Sequence, residues 1–120
     1  MASILVHITH GPEHPTRAAL GLLVARTALD EGHSVSLFLA GDAVTLIRKE
    51  TREALNGIGT GSAKEHFDAL VSGGASFYLS GMSSKARGVT PDLLEGAKAE
   101  MAMPNVLVQL ALDHDRMFTY

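Results

Sequence analysis

The chain has 120 residues, 46% hydrophobic and 19% charged, which is apolar enough for one ordinary core and too apolar for a disordered chain. Its formal charge of −3 argues against a nucleic-acid binder, which would show a basic face. With no cysteine there are no disulfides, no thiol chemistry and none of the usual structural zinc ligands.

Met1-Ala2-Ser3 leads directly into a strand-like segment with no basic region before it. No apolar run approaches the ~18 residues of a membrane helix. The expectation is a single domain over residues 1–120, in the cytoplasm, with no nucleic-acid or membrane partner. Ile4-Leu5-Val6-His7-Ile8 reads as a strand buried on both faces, as in parallel sheets. Thr9 to Pro15 is a loop punctuated by Gly11 and two prolines. A helix follows to about Glu31, with Thr16 as its expected cap. Apolar residues occupy nearly every face of that helix, so it is expected to be covered on more than one side, by the sheet and by a partner subunit.

Gly32 stops this helix, and Ser34–Leu39 forms the second strand. Asp42 is expected to cap a short helix from about Ala43 to Lys49, or else to contact ligand. Thr51 to Ser62 reads as an irregular glycine-rich loop. It lacks a P-loop lysine and does not follow a strand directly, so neither phosphate-binding fingerprint is met. Ser62 with Glu65 three residues on is a capping-box pattern that opens a helix to Val71. Ala75–Leu79 is the third strand. A helical turn at Pro91 within Val89–Leu94, an ambiguous strand within Ala97–Met103, a helix opened by Pro104 and running to Asp113, and a last strand Arg116–Tyr120 complete the chain. The alternation predicts an α/β fold with three layers, α/β/α, around a mostly parallel sheet of about five strands.

Two segments carry the functional expectations. Ser80-Gly81-Met82-Ser83-Ser84-Lys85-Ala86-Arg87-Gly88 begins where the third strand ends, the place where open α/β sheets bind ligands. Its amides, Lys85 and Arg87 suit an anion; equally, its hydroxyls suit a capped turn with solvated cations. The loop after the first strand carries His10, Glu13 and His14. It emerges from the same edge of a parallel sheet, so His10 or His14 could serve as base toward Ser80. His10, Glu13 and His14 are also the only candidates for a metal, at a spacing that matches no recognised motif. His7, inside its strand, is expected to be a satisfied core histidine. Met82, Met101 and Met103 are expected to fill apolar gaps, with Met101–Pro104 a candidate subunit contact.

The opening strand, the apolar first helix, "SLFLAGDAV", "SFYLSGMSSKARGV" and "DRMFTY" together resemble the DsrE/DsrF-like family of sulfur-relay proteins over nearly the whole chain. The resemblance implies a parallel-sheet α/β fold, trimers or hexamers, and a persulfide-carrying cysteine after the third strand. In that frame Ser80 and Ser83 stand where two cysteines would be, while Gly81, Arg87 and Gly88 match. Serine cannot form a persulfide, and its hydroxyl is a weak nucleophile without an activating base. The expectation is therefore a member of the family without its own sulfur carrier and with no cofactor. It would bind a small anionic or sulfur-containing ligand through His10, Glu13, His14, Asp42, Ser80, Gly81, Met82, Ser83, Lys85 and Arg87, or a partner protein such as a cysteine-bearing relay component. The alternatives are an enzyme using His10, His14 and Ser80 as catalytic groups, and a structural oligomer whose site has decayed.

Overall fold

The computed structural model describes residues 1–93 and 97–120; Leu94, the end of the expected Val89–Leu94 segment, lies outside them. β1 (Ser3–Ile8) is followed by α1 (Pro15–Asp30). His14 is the cap residue and Pro15, which has no N–H to satisfy, takes the first helical position. Thr16 therefore lies inside the helix rather than capping it, and its Oγ1 accepts a hydrogen bond from the Ile58 N–H at 3.1 Å. β2 (Ser34–Leu39) runs into a 3-10 helix at Gly41–Ile47, then α2 (Lys49–Ala54). The expected helix from Ala43 to Lys49 is displaced because the backbone of Arg48 is extended and separates the two elements.

The glycine-rich stretch is not a plain loop. β3 (Asn56–Gly57) and β4 (Gly61–Ser62) pair antiparallel as a small hairpin seated against α1. α3 (Ala63–Ser72) starts as expected at Ser62, whose hydroxyl accepts from the Glu65 N–H at 3.3 Å. Then come β5 (Ser76–Ser80), α4 (Gly81–Arg87), a 3-10 turn at Pro91–Leu93, β6 (Lys98–Ala102), α5 (Pro104–Asp113) and β7 (Arg116–Thr119).

The sheet has the order β6-β5-β2-β1-β7, and every pair in it is parallel. The steps β1 to β2, β2 to β5 and β5 to β6 all move in one direction across it. The step from β6 to β7 returns past the whole sheet. Right-handed crossovers therefore place α1 and α3 on one face and α5 on the other, which makes the three layers. The larger core lies on the first face, where Ile4, Val6, Ile8, Leu37, Leu39, Phe77 and Leu79 meet α1 and α3. The Phe67 and Phe77 rings stack there at 4.8 Å, and truncating either is worth about 3–5 kcal/mol.

The hairpin and α3 cover a second side of the all-round apolar α1, while Leu20, Leu23 and Val24 stay only half-buried. The second face has a smaller core of Leu5, Phe38 and Ala102 under Val106, Leu107, Leu110 and Ala111 of α5. His7 shares this face, edge-on to Phe38 at 5.8 Å. It is not the satisfied core histidine that was expected. Its Nε2 is buried with no hydrogen-bond partner among the described residues, and burial holds its pKa below the usual histidine value.

Candidate functional site at the carboxyl edge

All five strands of the sheet point the same way, so the segments after β1, β2, β5 and β6 gather at one edge. Gly41 follows β2 with φ of +56°, a left-handed conformation that favours glycine, and turns the chain back into the 3-10 helix. Gly11 of the first loop packs so closely on this turn that a Cβ would collide with the Asp42 carbonyl.

The segment after β5 is tied to the same turn. The Gly41 N–H donates to Ser83 Oγ at 2.9 Å, and Arg87 Nε donates to Asp42 Oδ1 at 3.1 Å. Arg87 Nη1 also donates to the Ser83 carbonyl at 3.1 Å, while Arg48 Nη2 donates to the Arg87 carbonyl at 2.6 Å. Ser80 is the cap of α4: its Oγ accepts from the Ser83 N–H at 3.3 Å. Gly88, left-handed at φ +65°, closes the helix. Asp42 is therefore not the cap of the helix it opens; that position is Ala40, and the Asp42 carboxylate is held by Arg87 instead. Lys85, by contrast, is exposed and pairs with no carboxylate among the described residues.

The first loop is organised by Glu13. One carboxylate oxygen meets His10 Nδ1 at 2.7 Å and the other accepts from the Gly11 N–H. Burial acts to raise the Glu13 pKa, but the bonds from His10 and Gly11 outweigh it and hold the carboxyl below its usual range. An ionised carboxylate only accepts, so in this contact His10 donates from Nδ1. The His14 ring lies 5.3 Å from that of His10. The three groups thus converge, yet no three His, Asp or Glu side chains among the described residues form a cluster able to hold a metal ion.

His10 and His14 do not meet Ser80. β2 lies between β1 and β5, so the loops that follow are two strand spacings apart, about 10 Å. The Gly41-Asp42 turn fills the interval, and no hydrogen bond among the described residues joins Ser80 Oγ to an imidazole. The methionines also depart from expectation. Met82 is 62% exposed and Met103 49% exposed, together flanking Gly81 at the edge, so neither fills an apolar gap; only Met101 packs against the core. Sequence reading passed over Ser84, one helical turn beyond Ser80. It is buried, with its hydroxyl unpaired among the described residues. Its spacing of four from the Ser80 cap was the available signal.

The family model for the DsrE/DsrF-like family matches residues 2–120. No curated protein matches the chain by sequence. Among solved structures, the ychN protein from E. coli is similar with a TM-score of 0.80 at 23% identity, covering 100% of both chains. MTH1491 from Methanobacterium thermoautotrophicum, a protein of unknown function, has a TM-score of 0.75 at 15% identity, again over 100% of both chains. BT1422 from Bacteroides thetaiotaomicron, also of unknown function, reaches 0.70 at 11% identity over 99% of this chain and 95% of its own. The chain belongs to the DsrE/DsrF-like family, and these structures share its fold.

Proposed function

We propose that this member of the DsrE/DsrF-like family is a cytoplasmic binding protein that takes a small anionic or sulfur-containing ligand at the carboxyl edge of its sheet. One observation carries the choice of binding over covalent chemistry. The Ser80 hydroxyl serves as the cap of α4 and touches no base among the described residues, in a chain that has no cysteine. A serine nucleophile needs an activating base, and Ser80 has none among the described residues. The matching test is labelling with a fluorophosphonate and, separately, with a persulfide donor. Neither is expected to modify the protein; stable modification at Ser80 would overturn the reading. A thermal-shift panel of sulfate, thiosulfate, phosphate and short carboxylates is expected to show stabilisation by at least one anion.

A second reading has its own observation, the imidazole of His10 oriented by Glu13 at 2.7 Å. A carboxylate-held histidine is a ready base. This reading makes the first loop, rather than Ser80, the centre of an enzyme. Catalysis abolished by His10→Ala and untouched by Ser80→Ala is the result that favours it.

The protein is further proposed to be a homo-oligomer, a trimer or a pair of trimers. α5 leaves Val108 61% and Leu112 75% exposed, on the thinly covered face of the sheet. Leu112→Glu is expected to reduce the mass measured by light scattering without loss of helix signal. A cysteine-bearing relay component remains the proposed partner for any sulfur transfer, since this chain supplies no thiol.

A further inference from the structure

Building on the anion-binding reading above, we propose that a cavity beside α4 binds a short amphipathic monoanion, a carboxylate or sulfonate head on a tail of a few carbons. The cavity measures about 390 Å³ and is lined by Gly81, Ser84, Lys85, Val89, Thr90 and Met101, together with Gly88. That volume falls in the lower part of the range of small-molecule sites, ~300–1,000 Å³.

Its lining is divided by chemistry. Val89, almost fully buried, and Met101, packed against the core, give an apolar wall with a polarisable thioether. Ser84 is only 1% exposed, and its Oγ has no partner among the described residues. A buried hydroxyl left unpaired costs its desolvation with nothing in return, and an acceptor on a bound ligand would recover that cost. The exposed Thr90 provides a second hydroxyl.

The charge is set by which cation is available. Arg87, the cation retained from the family frame, is engaged by Asp42 and the Ser83 carbonyl. Lys85 is the lining cation, and no carboxylate pairs with it among the described residues. One ammonium with no carboxylate partner among the described residues matches a single negative charge. The apolar wall favours a tailed anion over a compact, strongly hydrated one such as sulfate.

The experiment is a nitrogen-15 NMR titration of the whole chain with butanesulfonate, against sodium sulfate at matched ionic strength. Saturable shifts are expected at Gly81, Ser84 to Thr90 and Met101, with sulfate producing none that saturate there. Lys85→Gln is expected to weaken binding at least tenfold and Ser84→Ala several-fold, both variants keeping the native spectrum elsewhere. Saturable shifts centred on His10 and Asp42, indifferent to both substitutions, would overturn the cavity and leave edge binding standing. Absence of a saturable response to any anion would overturn both.

Discussion

The two polar clusters at the carboxyl edge are built from different residue types, serines and cations after β5 and imidazoles with a carboxylate after β1, and they differ in what they fasten. After β5, the groups that look reactive are bound to their own chain: Ser80 to the Ser83 amide, Ser83 to the Gly41 amide, Arg87 to Asp42. After β1, Glu13 holds His10 in one orientation, and the exposed His14 lies beside it without a side-chain hydrogen bond among the described residues. The β5 cluster is a clasp that fastens two turns of the sheet edge together. The first loop carries a carboxylate-held imidazole, His10, beside the exposed ring of His14. Residue type names both as candidates; hydrogen-bond partners separate them.

The sharpest way to break this comparison is Arg87→Ala. It removes the charge-assisted bond to Asp42 and the bond to the Ser83 carbonyl. Because both side chains of the ion pair are partly exposed, the expected loss is about 1–2 kcal/mol in urea unfolding. A loss below ~0.3 kcal/mol would show that the segment is not a clasp. Ser80→Ala is expected to cost about 0.5–1 kcal/mol through the lost cap, while Ser80→Asp, a good capping residue, restores most of it. Failure of Ser80→Asp to rescue would remove the capping role.

Ser84→Ala is expected to leave stability unchanged or raise it by up to about 1 kcal/mol, because it deletes a hydroxyl with no partner among the described residues. Destabilisation by more than that would mean the hydroxyl has a protein partner. Glu13→Gln, in the open loop, is expected to change stability near neutral pH by less than about 0.5 kcal/mol. Its effect lies in the acid range. The folded-state pKa of Glu13 is depressed, so its contribution is present above the unfolded carboxyl value and is lost as pH falls through the lowered one. The variant is expected to show a shallower acid limb in denaturation measured from pH 5 downward. An unchanged limb would mean that the His10–Glu13 contact does not persist in solution.

Where the sequence was legible, the signal was local. Ser62 and Glu65 are three residues apart, and the cap they announce is present. Pro104 opens α5, and the strands β1, β2, β5 and β7 lie within a residue or so of their apolar runs. The misreadings share a cause. Asp42 has a plausible local role as a cap, but the partner that takes it, Arg87, lies 45 residues away. Thr16 was assigned to a cap and instead receives the Ile58 N–H, 42 residues away. Met82 is apolar in type, yet in the first turn of α4 it is exposed. His7 lies in an apolar strand, and its buried Nε2 has no partner among the described residues.

The sequence by itself determined the alternation of strands and helices, the parallel sheet, the family frame and the absence of a sulfur carrier. The alternation and the parallel sheet follow from spacings of a few positions, where helix and strand periodicity act, the missing sulfur carrier from residue type, and the family frame from a resemblance over nearly the whole chain. Only the tertiary structure decided the strand order that inserts β2 between the histidine loop and Ser80. It also decided that Arg87 is engaged by Asp42, and that Ser84 lies against a cavity with its hydroxyl unpaired among the described residues. Those outcomes depend on partners brought together across some forty residues by the sheet, and no local pattern encodes the distance between them.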